Sequence, residues 1–149
     1  QSIAKVLLHI TFSTKGRAPL LKNKQVREGL YAYGSGVLKD IECPAIILGG
    51  VEDHMRILCL LSRKITLAKL IETIKTSTSK WVKLQGPNYR GFYWQGGYGA
   101  FSVSESRKAA VEQYIQNQEE HHRRRTFQEE FGELCRKHGI EMNERYVWD

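Results

Sequence analysis

Two short apolar runs, Cys43 to Val51 and His54 to Leu61, are separated only by Glu52-Asp53. Each run is strand-sized, and so tight a join brings its two flanks together as an antiparallel hairpin. The rest of the chain has to fit around that hairpin.

Upstream, Ala4 to Ser13 alternates through Val6, Leu8, Ile10 and Phe12, which predicts a first strand. A basic connection, Lys15 to Lys24, contains Pro19. From Gln25 to Ile41, the residues Val26, Leu30, Tyr33, Val37 and Ile41 recur at helical spacing. Gly34-Ser35-Gly36 weakens that helix by about 1 kcal/mol per glycine unless packing needs the space. Thr66 is a suitable N-cap for a second helix over Leu67 to Lys83, with Leu67, Leu70, Ile71 and Ile74 on one side. Gly96-Gly97, between Phe92–Gln95 and Tyr98–Val103, predicts another hairpin. Ser104 is expected to cap a helix running to about His122, and Thr126 with Glu129 forms a capping box for a last helix ending at Gly139. The order β-α-β-β-α-β-β-α-α, without repeat or linker, suggests a single α+β domain over residues 1–149. Its antiparallel sheet is expected to carry its helices on one face.

The balance of 23 Lys+Arg against 16 Asp+Glu, a net +7, favours a polyanionic partner. Cys43, Cys59 and Cys135 are odd in number and widely spaced, so neither a disulfide framework nor a thiolate zinc site is suggested. With no apolar run long enough to cross a bilayer and no leader pattern, no membrane association and a reducing cytoplasm are the expectations.

Two local patterns carry chemical side chains. In Glu52-Asp53-His54-Met55-Arg56, positions 54 and 56 point to the same sheet face. A histidine at a strand end is more often structural when it stands alone. In Tyr114-Ile115-Gln116-Asn117-Gln118, Tyr114 and Gln118 are neighbours on one helical face. A core tyrosine with a surface glutamine accounts for that pattern as well. His121 and His122 follow in a charged run that reads as a solvated helix end.

Together these segments resemble insertion-sequence transposases of the single-tyrosine HUH class, which carry His-hydrophobe-His on a strand. The similarity runs from His9-Ile10-Thr11-Phe12-Ser13-Thr14-Lys15 through Gly50-Val51-Glu52-Asp53-His54 and Ile74-Lys75-Thr76-Ser77-Thr78-Ser79-Lys80. It continues through Trp94-Gln95-Gly96-Gly97-Tyr98 and Tyr114-Ile115-Gln116-Asn117-Gln118 to Glu144-Arg145-Tyr146-Val147. The resemblance implies an RNA-recognition-like, ferredoxin-like fold with the HUH strand central in the sheet. It implies a tyrosine nucleophile that cuts single-stranded DNA next to folded hairpins and forms a 5′-phosphotyrosine link. Rejoining then needs no ATP and no nucleotide cofactor. It further implies Mg²⁺ or Mn²⁺ held by two histidines and a glutamine, and homodimers whose active sites are shared between subunits.

Carried over residue by residue, Tyr114 is the nucleophile, and His54 and Gln118 are metal ligands. The remaining ligand position holds Arg56, whose permanent positive charge cannot bind a metal cation and repels one. The expectation is weakened metal binding and impaired catalysis with DNA binding kept, Arg56 itself contacting phosphate. Arg63, Lys64, Lys69, Lys80 and Lys83 are the other candidate DNA contacts, with the aromatics Phe92, Tyr93, Trp94 and Tyr98 as a candidate stacking surface. Two other readings stay open: a nucleic-acid-binding module that has lost cutting, and a metal-dependent hydrolase unrelated to DNA. The latter would need more carboxylates near His54 than Glu52 and Asp53.

Overall fold

Alternation sets the first strand, and its pairing sets the rest of the sheet. In the computed structural model, which describes residues 1–141, β1 spans Leu7–Ser13 and is central. Val6 and the residues before it are exposed and lie outside the strand. The expected hairpin is present as β2 (Ala45–Val51) and β3 (His54–Leu60), turning at Glu52-Asp53. With β4 (Gly99–Val103) the sheet has the order β2-β3-β1-β4, every pair antiparallel. This is the ferredoxin-like arrangement that the family resemblance implies.

Helix α1 (Lys24–Asp40) is capped by the Asn23 side chain, and α2 (Leu67–Lys83) by Thr66. Gly34 is explained by packing, because a Cβ there would lie 2.8 Å from the Leu48 side chain. Both helices cover the sheet face that presents Leu8, Ile10, Phe12, Met55, Ile57 and Cys59, and this is the main apolar core. Cys43, Cys59 and Cys135 are buried free thiols. Burial pushes the Cys59 thiol up to about 12.

Three expectations are corrected. First, Phe92–Gln95 is not a strand of a hairpin: only Trp94 bridges to Thr14, and β4 pairs with β1 instead. The glycine turn loses to competing partners. Lys75 Nζ donates to the carbonyls of Gln95 and Gly97 at 2.8 and 2.7 Å, while Gln95 is bonded through backbone and side chain to Ser13. Phe92 and Trp94 pack edge-on to each other at 4.8 Å in the core, so only Tyr93 and Tyr98 of the four rings remain exposed.

Second, the expected helix from Ser104 is interrupted. A 3-10 turn (Glu105–Arg107) leads into α3 (Lys108–Gln116), the chain kinks at Asn117, and α4 (Gln118–Arg124) follows. The Ser104 hydroxyl meets Ser106 and makes no cap hydrogen bond to the helix.

Third, helices cover both faces. Helix α5 (Phe127–Lys137), with the expected Thr126–Glu129 capping box, buries Phe127 and Phe131 against Phe101 of β4. The side chains of His121 and His122, and the segment Glu144-Arg145-Tyr146-Val147, lie outside the described residues.

Candidate active site

The second sheet face is built from the residues that alternate with the core. One row across the strands reads Gly49, Arg56, Thr11, Gly99. The two glycines make room for helices on either side of Arg56. A Cβ on Gly49 would sit 2.7 Å from the Ile115 carbonyl of α3, and one on Gly99 would sit 2.6 Å from the Phe131 ring of α5. Backbone and ring cannot both yield, so these small residues fix how closely α3 and α5 approach the sheet.

Between those helices lies a buried polar cluster. His54, 1% exposed, places Nδ1 2.8 Å from Asp53 Oδ1 and Nε2 2.8 Å from Gln118 Oε1. Arg56 is 0% exposed, and its Nε donates to the same Gln118 oxygen at 2.9 Å. Its Nη2 donates to Glu130 Oε2 of α5 at 2.7 Å. The guanidinium carbon also lies 5.3 Å from the centre of the Tyr114 ring and 5.8 Å from that of Phe127. Gln118 donates back to the Tyr114 carbonyl at 3.3 Å, bridging the kink at Asn117. The structure therefore brings Tyr114, His54, Arg56 and Gln118 together, all from one chain. Sharing between two copies, expected from the resemblance, is not needed to assemble this cluster.

Electrostatics follow from that burial. The Tyr114 hydroxyl is pushed up to about 12, first by burial and then by Glu130, against the opposing pull of Arg56. It therefore keeps its proton at neutral pH. His9, on the same face, is held neutral: burial first, and then the Arg56 charge, lower it to about 3.

The donor set does not fit a divalent metal. Both ring nitrogens of His54 face acceptors, and a nitrogen that donates toward Gln118 has no lone pair for a metal. Gln118 Oε1 is turned toward a guanidinium, and the remaining corner is that permanent cation. Among the described residues no group of three or more His, Cys, Asp or Glu is placed to hold a metal ion.

Two further residues, outside the nucleophile and ligand positions, complete the cluster. Asp53 orients His54, and Glu130 neutralises Arg56. Glu130 had a readable signal, because Phe127, Glu130, Phe131, Leu134 and Cys135 recur at i, i+3, i+4, i+7 and i+8. A carboxylate inside that stripe needs a buried cation.

The other cations expected to contact DNA are elsewhere. Arg63, Lys64, Lys69 and Lys80 are exposed and Lys83 half-buried, but α2 packs on the opposite sheet face from Tyr114. Lys64 pairs with Glu42 at 3.2 Å, Lys69 with Glu72 at 3.3 Å, and Lys83 lies 4.2 Å from the Tyr93 ring centre. Arg56 faces Glu130 and Gln118 in the interior, so this arrangement does not present it to a phosphate.

The family model described as "Transposase IS200 like" matches residues 2–118. The chain belongs to the IS200-like transposase family. Two solved structures share the fold of this transposase-family chain. One is a candidate transposase from Deinococcus radiodurans R1, at 21% identity and TM-score 0.61, covering 78% of this chain and 93% of that one. The other is a REP-associated tyrosine transposase bound to a REP hairpin, at 14% identity and TM-score 0.56, covering 78% of this chain and 68% of that one. The comparison with curated proteins gives no match. Among the described residues, no helix of this transposase-family chain is long and apolar enough to cross a membrane.

Proposed function

We propose that this chain binds single-stranded DNA at a folded hairpin and keeps the family's nucleophile, Tyr114, in a site whose metal position has been taken by Arg56. The observation that carries the reading is the meeting of Tyr114, Gln118 and His54 in one cluster, with the Arg56 guanidinium on the glutamine oxygen. The solved relative bound to a REP hairpin supports the same class of substrate.

In the reaction this implies, the Tyr114 oxygen attacks phosphorus, the phosphorus–O3′ bond breaks, and the strand is left as a 5′-phosphotyrosine with a free 3′-hydroxyl. The tyrosine proton must leave for the oxygen to attack, Glu130 beside the hydroxyl is the carboxylate in place to take it, and the departing O3′ takes its proton from solvent. Arg56 supplies fixed positive charge behind that pair, but Glu130 neutralises it. Cutting is therefore impaired, while hairpin binding, which needs neither Arg56 nor a metal, is retained.

The Arg56–Glu130 pair also favours a second reading, a DNA-binding module that no longer cuts. One experiment separates the two. The protein is incubated with labelled hairpin DNA in Mn²⁺ and run on a denaturing gel, beside Tyr114→Phe. A slow covalent adduct, absent from Tyr114→Phe although that variant binds the hairpin equally well, supports the nucleophile. An adduct that persists in Tyr114→Phe excludes Tyr114, and binding without any adduct leaves the binding module.

A further inference from the structure

The Arg56 guanidinium is enclosed by groups drawn from four elements other than its own strand. Each of its three nitrogens donates to a different acceptor: Nε to Gln118 Oε1 at 2.9 Å, Nη2 to Glu130 Oε2 at 2.7 Å, and Nη1 to His9 Nε2 at 3.4 Å. The Tyr114 and Phe127 rings lie within cation–π range of its central carbon, at 5.3 and 5.8 Å. β1, α3, α4 and α5 thus each contribute a wall, and the side chain is fully buried. His9 suits its place because burial, and then the Arg56 charge, keep it neutral, so its ring offers a lone pair to the cation.

These acceptors match a flat fork and not a point charge. A guanidinium sends its N–H groups along separate directions in one plane, and here the acceptors meet them one nitrogen at a time. A Mg²⁺ ion would instead need its ligand oxygens to converge on a single centre at about 2.0–2.1 Å. We infer that His9, Gln118, Glu130 and the two rings form a socket for a guanidinium, and that Arg56 is the resident cation of the site, so that neither the fold nor the tyrosine reaction calls for a divalent metal. This departs from the metal that the family resemblance implies. The bonds that form and break are those of the tyrosine reaction above, with the Arg56 charge in the metal's place. The socket stands on its contacts alone, whereas metal-free cutting rests on the reading that Tyr114 attacks DNA.

Arg56→Ala empties the socket by the atoms of N-ethylguanidinium, which is therefore the probe. Thermal melting of that variant is followed with millimolar N-ethylguanidinium, with n-propylammonium, which has the charge without the fork, or with Mn²⁺. N-ethylguanidinium should raise Tm saturably, by roughly 3–6 °C when it stands about tenfold above its dissociation constant. The rise should be lost in Arg56→Ala/Glu130→Met, which lacks the carboxylate. Propylammonium and Mn²⁺ should each move Tm by less than about 1 °C. On the wild type, Mn²⁺ and EDTA should give the same Tm, and an adduct with labelled hairpin DNA should form at rates within about twofold in the two.

A larger rise with Mn²⁺ than with N-ethylguanidinium would make the cluster a metal site and overturn the socket. A saturable rise of the wild type in Mn²⁺ would do the same, and that measurement decides the matter where Arg56→Ala does not fold. An adduct that forms in Mn²⁺ and is lost in EDTA would return the metal to the reaction. No adduct in either condition removes the cutting reading alone, and the melting shifts then judge the socket by themselves.

Discussion

The two faces of the sheet are made from the same strands and differ completely in what they hold. On one face Ile10, Phe12, Met55 and Ile57 meet α1 and α2 in an apolar core. On the other, the alternate residues His9, Thr11, His54 and Arg56 meet α3, α4 and α5 around an ion pair. A period of two puts scaffold and chemistry on neighbouring residues, so each β1 and β3 side chain belongs wholly to one or the other. The apolar face draws its stability from area and close packing. The polar face must satisfy every buried charge by name.

The largest effects should come from breaking either face at its centre. Phe12 is fully buried, packs edge-on to Trp94 at 4.8 Å and lies under Lys75. Phe12→Ala should cost about 3–5 kcal/mol in urea unfolding, with hairpin affinity unchanged in the fraction that remains folded. On the opposite face Arg56→Ala should cost a similar amount, about 3–5 kcal/mol, because it leaves the buried Glu130 carboxylate without its counter-charge. The faces then diverge on repair. Arg56→Met combined with Glu130→Met should recover most of the loss, since replacing a whole buried pair by apolar residues of similar volume is often near neutral. If Arg56→Ala is as stable as the wild type, the pair is not what holds α5 to the sheet.

A middle-sized effect separates the faces by pH. His9 is the buried base of the polar face, lowered from 6.5 to about 3. Below pH 6.5 the unfolded chain takes up a proton that the native chain refuses until about pH 3. Stability is therefore fully present above 6.5 and falls as pH drops through that window. At pH 4.5 the loss should be roughly 2–3 kcal/mol relative to pH 7, read from urea midpoints. His9→Gln should flatten that slope. An unchanged slope would assign acid sensitivity to other groups.

Much of the apolar face was legible in the sequence, and much of the polar face was not. Alternation in β1, the short Glu52-Asp53 turn and the helical stripes of α1 and α2 are local signals, and each formed close to where it was read. The failures share a cause. The Gly96-Gly97 hairpin lost to long-range partners, Lys75 and Ser13, that local turn chemistry does not reveal. The third helix broke at Asn117, where α3 hands over to Gln118 at the cluster. Tyr114, His54, Arg56 and Gln118 were readable only because a family pattern supplied their order. That Arg56 would be neutralised by Glu130, seventy-four residues later, was written solely as a misplaced carboxylate in an apolar stripe.

A smaller effect concerns the metal position. Arg56→His returns a neutral nitrogen ligand two residues from His54 and should raise Mn²⁺-dependent nicking at least tenfold, worth about 1.4 kcal/mol in barrier. The gain should vanish in EDTA. Because the change strands Glu130, pairing it with Glu130→Gln should restore stability. In an Arg56→His background, mixing Tyr114→Phe with His54→Ala should recover no nicking, because Gln118 joins His54 to the Tyr114 helix within one chain. Recovery on mixing would show that the tyrosine helix exchanges between copies.

The smallest effect tests the rule that the polar face must satisfy its groups. Thr11 is fully buried between Arg56 and Gly99 in the strand register, and its hydroxyl meets no hydrogen-bond partner among the described residues. Such a group loses its water on folding and gains nothing in return, a cost of about 1–3 kcal/mol. Valine has nearly the same shape and no hydroxyl, and it suits a strand. Thr11→Val should therefore stabilise the chain by about 1 kcal/mol, a rise of roughly 2–4 °C in Tm. The same substitution at Thr78 on the apolar side should do the opposite. That hydroxyl donates to the Ile74 carbonyl at 2.6 Å and accepts from Trp94 Nε1 at 3.0 Å, so removing it leaves the buried indole N–H without its acceptor. If Thr11→Val destabilises as Thr78→Val does, the Thr11 hydroxyl has a partner in solution, and the polar face is more fully satisfied than its described contacts show.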